Sequence, residues 1–140
     1  MEKTDIFALI HTMGLFSNQA IIQWNKFFPY KIGIAPILVL TELAEHGHQK
    51  QGDLANTLGL TPGAVTNIAN NLIKEGYAQR QSDDTDRRIV YLIITEEGQK
   101  VLNCAEQMGQ ELHMKLFQVL SDSEQKQLLK IYQKLLSNFE

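Results

Sequence analysis

Apolar side chains recur three or four residues apart at the start of the chain, which is the spacing of one helix face. The pattern covers Thr4–Phe28, and Pro29 ends it because proline disrupts a helix interior. A second helix is predicted over Ala35–Glu45, and Gly47 follows its end. The first part of the chain is therefore predicted to be helical.

Two further helices are predicted at the other end of the chain. Thr95 is the predicted N-cap of a long helix, and Ser121 with Glu124 forms the predicted capping box of the last one. Both helices carry wide apolar stripes, as the first helix does. Helices of this kind usually bury their stripes against one another and against a second copy of the chain.

The middle of the chain has the pattern of a helix-turn-helix. A short helix around Leu54 is stopped by Gly59. Thr61 then has the properties of an N-cap, with Pro62 as the first helical residue. The helix that follows ends at Gly76, because glycine is favoured just past a helix C-terminus.

A β-hairpin is predicted directly after this second helix. Tyr77–Gln81 forms one short strand, and Ser82–Arg88 is a polar turn that contains three aspartates. Ile89–Thr95 alternates apolar and β-branched residues and is predicted to be the return strand. A hairpin in this place is the wing of a winged helix-turn-helix.

The predicted fold class is mainly α with a small β-hairpin wing (α+β). It is a winged helix-turn-helix with N- and C-terminal dimerisation helices. The predicted domains are residues 1–33 for the N-terminal dimerisation helix, 34–95 for the winged helix-turn-helix, and 96–140 for the C-terminal dimerisation helices.

The helix that begins at Pro62 separates into an apolar and a polar face. On a wheel of about 100° per residue, Ile68, Ala69 and Leu72 fall close to Val65 and form the predicted buried face. The opposite face is polar and has little negative charge. Its members are Gly63, Thr66, Asn67, Asn70 and Lys74.

This polar face has the chemistry of a DNA-recognition helix. Asparagine can pair with the adenine edge through two hydrogen bonds, threonine can bond to bases or phosphates, and Lys74 suits a phosphate. The small residues Gly63 and Ala64 would let the backbone approach a groove closely. A merely solvated face is the alternative. The preceding short helix and the turn at Gly59 favour DNA, because they hold a second helix for the major groove.

The hairpin tip places two arginines beside three aspartates. Strand alternation predicts that Arg87 and Arg88 point to opposite faces, one toward the minor groove and the other toward phosphate. The alternative is an aspartate–arginine network within the turn. We expect both to apply in part, with Asp86 orienting one of the arginines.

Taken together, these motifs resemble the MarR family of bacterial and archaeal winged helix-turn-helix regulators. The similarity extends from about Leu38 to Leu102, and the terminal helices match in layout. The stretches that carry it are Asp53-Leu-Ala-Asn-Thr-Leu-Gly-Leu-Thr-Pro-Gly-Ala-Val-Thr, Leu72-Ile-Lys-Glu-Gly-Tyr, Asp83-Asp-Thr-Asp-Arg-Arg and Leu92-Ile-Ile-Thr-Glu-Glu-Gly.

The resemblance implies a homodimeric transcriptional regulator, with repression the expected mode, that binds a roughly palindromic operator in double-stranded DNA. The wing tip would be Asp86, Arg87 and Arg88. One departure is Asn67, where family members often carry arginine; it removes a charge and shifts the expected base preference toward adenine. The residues that would meet the major groove are Thr61, Gly63, Ala64, Thr66 and Asn67.

The resemblance also implies a small aromatic or anionic effector that releases the DNA. His11, Phe16 and Trp24 are the residues that we expect to line its pocket, although ordinary core and interface packing is the alternative for the aromatic ones. Cys104 is expected to be an inert thiol. No cofactor is expected. No regulatory metal is expected either, because lone histidines are more often structural or surface residues.

Charge and composition narrow the remaining function classes. The chain has a formal net charge of −3, so DNA binding must depend on the local placement of basic groups. A cytoplasmic protein without a membrane span is expected. No phosphate loop, paired metal motif or placed nucleophile indicates an enzyme. The alternative function is a winged protein–protein interaction module without DNA binding.

Overall fold

The computed structural model describes residues 3–140, with side chains from residue 5 onward. The chain divides into two compact units. The winged unit is Phe28–Gln107, and the terminal unit comprises Met1–Phe27 and Met108–Glu140. The elements in order are α1 (Lys3–Phe27), α2 (Ile34–His46), α3 (Gln51–Leu58), α4 (Pro62–Lys74), β1 (Ala78–Ser82), β2 (Val90–Ile94), α5 (Glu96–Phe117), α6 (Asp122–Leu136) and a 3₁₀ turn (Ser137–Phe139).

Local capping signals place both ends of α4 where the sequence predicts them. Thr61 is the N-cap, and its side-chain oxygen accepts a hydrogen bond from the Ala64 amide at 3.1 Å. At the other end, Gly76 adopts a left-handed φ of 81°. The Tyr77 amide then donates to the carbonyl of Leu72 at 2.8 Å, which satisfies an orphan carbonyl of the last turn.

The predicted hairpin is present, displaced by about one residue at its strand ends. β1 pairs antiparallel with β2, and Arg80 lies opposite Leu92. A bridge that the sequence pattern did not reveal joins Gln49 to the other edge of β2. Its two backbone hydrogen bonds, between Gln49 and Leu92, measure 3.1 and 2.8 Å. The loop before α3 is thus tied to the wing.

The apolar face predicted for α4 lies in the core of the winged unit. Val65, Ala69 and Leu72 are almost completely buried, and Ile68 is half-buried. They share this core with residues from every other element of the unit. The other buried apolar residues of the unit are Phe28, Val39, Leu40, Leu43, Leu54, Ala55, Ala78, Leu92, Val101, Leu102 and Ala105.

The start of α5 belongs to the winged unit, which comprises Phe28–Gln107. Val101, Leu102 and Ala105 are buried within the part of α5 that contributes to it. Thr95 caps α5 as predicted, because its hydroxyl accepts from the Gly98 amide at 3.1 Å. Sequence patterning marks where a helix starts, but not where along its length it changes packing partner.

The terminal unit leaves much apolar surface uncovered. The predicted capping box of α6 is confirmed, with Ser121 and Glu124 bonding each other's backbone amides. α6 has no buried residue in the described chain. Within the described residues, no helix is long and apolar enough to cross a membrane. The large exposed apolar side chains of α6 are Leu129, Ile131, Tyr132, Leu135 and Leu136, and those of α1 include Ile6, Phe7, Leu9, Ile10, Met13 and Leu15.

Candidate nucleic-acid interface

The outer face of α4 is open to solvent at nearly every predicted DNA-contact position. Only Ala64 is half-buried, which is consistent with a small residue beneath the exposed ones. No negative charge lies in the first turn of α4, and Lys74 lies in its last turn. The exposed members are Thr61, Gly63, Thr66, Asn67, Asn70 and Lys74. This face therefore combines exposed backbone at a helix N-terminus with uncharged polar side chains.

A chain of side-chain hydrogen bonds joins α4 to α3 and β1. The Arg80 guanidinium donates to Asn70 Oδ1 at 2.8 Å and to Gln51 Oε1 at 3.4 Å. Gln51 Nε2 donates in turn to Thr66 Oγ1 at 3.3 Å, and the Thr66 hydroxyl donates to the Pro62 carbonyl at 3.0 Å. We call Arg80, Gln51, Asn70 and Thr66 the Arg80 network. It connects two of the predicted recognition residues to two side chains that sequence reasoning did not select.

Asp83 organises the tip of the wing. Its Oδ2 accepts from the Thr85 hydroxyl at 2.7 Å and from the backbone amides of Thr85 and Asp86, each at 3.0 Å. These bonds favour the ionised carboxylate and lower the pKa of Asp83 to about 2, with the Thr85 hydroxyl the largest cause. The Tyr91 hydroxyl also donates to Asp83, at 3.3 Å. The tip is thus held as an Asx-type turn with its carboxylate charged at neutral pH.

The expected aspartate–arginine contact is present between Asp86 and Arg88. Arg88 Nε and Nη2 donate to the two carboxylate oxygens of Asp86 at 3.1 and 3.0 Å, a bidentate arrangement. This pairing lowers the pKa of Asp86 and raises the pKa of Arg88. The Arg88 side chain is nevertheless 91% exposed. Asp86 therefore orients Arg88 while leaving it accessible.

The expectation that strand alternation separates the two arginines is wrong. Arg87 and Arg88 lie in the turn, because β2 begins only at Val90. Both are exposed, and Arg87 makes no side-chain hydrogen bond or ion pair within the part of the chain that the structure describes. Turn geometry, rather than a strand pleat, sets their directions. The wing thus carries one oriented and one unrestrained arginine.

The residues predicted to line an effector pocket all lie on α1. Phe16 packs against Phe117, with ring centroids 6.2 Å apart, and Trp24 is half-buried near Gly109 of α5. His11 is exposed. These contacts support packing as one role of Phe16 and Trp24, whereas effector binding by the three residues stays a prediction.

One histidine and two glutamates lie together at the C-terminal end of α2. His46 Nδ1 lies 3.0 Å from Glu42 Oε2 on the same face of α2, and Glu45 lies nearby. This is an exposed helix-end contact of the kind expected for a histidine in a last turn. Cys104 is a half-buried thiol on α5, and as the one cysteine of the chain it forms no disulfide within it.

Comparison with known proteins identifies relatives of this chain. The model of the MarR family matches residues 34–90. The uncharacterized HTH-type transcriptional regulator YpoP of Bacillus subtilis is 30% identical over 111 residues, which are 79% of each chain. The transcriptional repressor MprA of Escherichia coli is 32% identical over 103 residues, or 74% of this chain and 58% of MprA.

The same architecture occurs in solved structures. A mutant MarR from E. coli, complexed with operator DNA, is 24% identical and has a TM-score of 0.79. The similarity covers 94% of this chain and 96% of that one. At this level of identity the likeness shows the winged helix fold.

Proposed function

Because the chain belongs to the MarR family of transcriptional regulators, we propose that it binds double-stranded DNA sequence-specifically as a homodimer. α4 would enter the major groove and the wing would contact the adjacent minor groove or its phosphates. Repression is the proposed mode, since MprA is a repressor and blocking a promoter needs only occupancy of the operator. A regulator of this kind acts where the chromosome is, in the cytoplasm.

The observation that carries this proposal is the shared exposure of the polar face of α4 and the two wing arginines. Recognition requires side chains with free hydrogen-bonding groups on a helix that a core holds rigid. Val65, Ala69 and Leu72 provide that rigidity from the opposite face. The exposed face supplies amide, hydroxyl and ammonium groups, which bind base edges and phosphates.

The charge of the DNA-binding segment predicts the affinity of the chain for DNA of any sequence. The segment Lys50–Tyr91 contains five basic residues and five acidic residues, so it is close to neutral. Few phosphates are then neutralised per subunit, and non-specific affinity is low. Specific binding would depend on two subunits engaging two half-sites at once.

Selection from randomised duplex DNA tests the function directly. The wild-type chain is expected to enrich an inverted repeat whose half-site centres lie about one helical turn apart. A salt titration on the enriched duplex is expected to show a shallow slope, because few phosphates are contacted. A folded, dimeric chain that enriches no sequence would favour the protein–protein interaction module instead.

The homodimer would be held together by the apolar faces of α1 and α6. Side chains such as Ile131 and Leu135 are more than half exposed in the single chain. A large apolar patch of this kind is unfavourable in water. A second copy that presents the same surface would cover them by two-fold symmetry. The dimer contacts would then lie on α1 and α6, and the DNA contacts on α4 and the wing.

Ile131→Asp is expected to raise the dimer dissociation constant by at least about a hundredfold. Two-fold symmetry would place two unpaired charges in one apolar interface, and each costs several kcal/mol to desolvate. Sedimentation equilibrium measures the result. Gln133→Asp introduces the same charge on the other side of α6 and is expected to leave the dimer intact. Equal dissociation constants for the two variants would contradict the assignment.

A small aromatic or anionic effector is the proposed release signal, with His11, Phe16 and Trp24 of α1 as its binding residues. An imidazole and two aromatic rings would provide a polar anchor and apolar walls for such a molecule. A thermal-shift screen with phenols and aromatic carboxylates tests this part of the proposal. Binding that persists in a Phe16→Ala variant would place the effector elsewhere.

A further inference from the structure

The Arg80 network has a fixed direction of hydrogen bonding. At one end, the Arg80 guanidinium can only donate, so the atom of Asn70 that faces it at 2.8 Å must be Oδ1. At the other end, the Pro62 carbonyl can only accept, so the Thr66 hydroxyl must donate to it. The orientation of Gln51 between these ends follows from both.

The fixed direction determines what Asn70 displays to its surroundings. With Oδ1 bonded to Arg80, the amide presents its Nδ2 donor outward. The Nδ2 group carries two N–H donors, and these are the groups that a base approaching the amide would meet. An adenine N6 amino group, itself a donor, would meet these donors unfavourably. Two acceptors, such as guanine O6 and N7, would meet them favourably.

Asn67, one turn earlier on α4, provides the contrast. Its side chain is exposed and makes no hydrogen bond within the described residues. It remains free to donate and accept at once, which is the pattern that adenine requires. Two asparagines on one helix face therefore differ in what they can recognise, although their chemistry is the same.

We propose that Arg80 and Gln51 are positioning residues of the recognition helix, which hold Asn70 so that it selects guanine rather than adenine. This inference rests on the proposed function, because it assigns the base preference of one position in the half-site. It also distinguishes Asn70 from Asn67, for which an adenine preference is expected. Arg80 acts through Asn70, and its contribution is the orientation of the amide.

Selection from randomised duplex DNA with matched variants tests the inference. Asn70→Ala first identifies the position in the half-site that depends on Asn70, because only there is the base preference lost. In the wild type, this position is expected to favour guanine over adenine by about tenfold. In Arg80→Met, the freed amide can rotate, and the guanine preference is expected to disappear or to change to adenine. Arg80→Lys keeps a donor and the charge and is expected to retain part of the preference.

Two further variants separate positioning from charge and from folding. Lys74→Met also removes one positive charge, and it is expected to weaken all duplexes alike without changing any base preference. Asn70→Asp keeps the contact with Arg80 and is almost the same size, but it replaces the outward donor with an acceptor. It is expected to favour cytosine, whose N4 amino group donates. If Arg80→Met does not fold, Asn70→Asp still tests the inference, because its base preference at this position is expected to change from guanine to cytosine.

The outcomes distinguish failure of the inference from failure of the function. A wild-type chain that enriches an inverted repeat, but prefers adenine at the Asn70 position, would overturn the inference alone. The same holds if Arg80→Met leaves a guanine preference unchanged. A wild-type chain that enriches no sequence would overturn the proposed function, and this inference with it.

Discussion

Arg88→Ala is expected to lower the affinity for an operator duplex by at least about a hundredfold, and more than Arg87→Ala does. A hydrogen bond to a charged group contributes about 1.5–3 kcal/mol, and a dimer loses one such contact in each half-site. Asp86 holds Arg88 through two bonds of 3.0–3.1 Å, so little side-chain entropy is lost when it binds. Arg87 lacks such a partner in the described chain and must be ordered first. Fluorescence anisotropy with the selected duplex measures both affinities.

The variant Asp86→Ala separates orientation from charge. Removing a carboxylate near DNA should strengthen binding if only net charge matters. If Asp86 acts by orienting Arg88, the same variant is expected to weaken binding, because the guanidinium loses its bidentate partner. The salt dependence of binding by Arg88→Ala provides a second measurement. Losing Arg88 from both subunits should reduce the slope of log K against log salt concentration by about two. Stronger binding by Asp86→Ala would show that the pair does not serve recognition.

Elements whose signals are local in sequence could be predicted well. Thr61 and Pro62 fix the start of α4, and Ser121 with Glu124 fixes the start of α6, because each cap involves residues only three apart. The helix faces follow from periodicity in the same way. The polar face of α4 was therefore identifiable as a candidate DNA-contact surface from the sequence.

Contacts between distant residues were not predictable in this way. Arg80 bonds to Asn70, ten residues earlier, and to Gln51, twenty-nine residues earlier. An arginine on an exposed strand position has no pattern that names its partner. The bridge between Gln49 and Leu92 has the same origin. The sequence alone therefore identified the candidate recognition residues but not the side chains that hold them.

The wing shows a different limit, which arises at element boundaries. The expected alternation of Arg87 and Arg88 treats them as strand residues, although both lie in the turn before β2, which begins at Val90. Asp83 sets the conformation of this turn, because its carboxylate accepts hydrogen bonds from Thr85 and Asp86. The three aspartates predicted a turn, but only the structure shows that Asp83 organises it and Asp86 pairs with arginine.

Gly98→Ala is expected to destabilise the winged unit by about 3 kcal/mol and to lower its melting temperature by about 15 °C. Gly98 is buried in the first turns of α5, where the backbone carbonyl of Tyr77 passes directly over it. An added Cβ would overlap this carbonyl and also approach the Ile94 side chain to 2.9 Å. The same carbonyl accepts the Thr95 amide at 3.1 Å, so it cannot move away without breaking that bond. The overlap with the backbone therefore cannot be relieved by a small shift.

Gly52→Ala is the matched control, since Gly52 is also in a helix but a Cβ there meets nothing within 4 Å. It is expected to leave stability unchanged or to raise it by about 0.5–1 kcal/mol, because alanine is the better helix former. Thermal unfolding followed by circular dichroism compares the two. Equal melting temperatures for Gly98→Ala and the wild type would mean that α5 can move away from Tyr77. The wing, whose first strand begins directly after Tyr77, would then be less firmly tied to the core than the close approach at Gly98 implies.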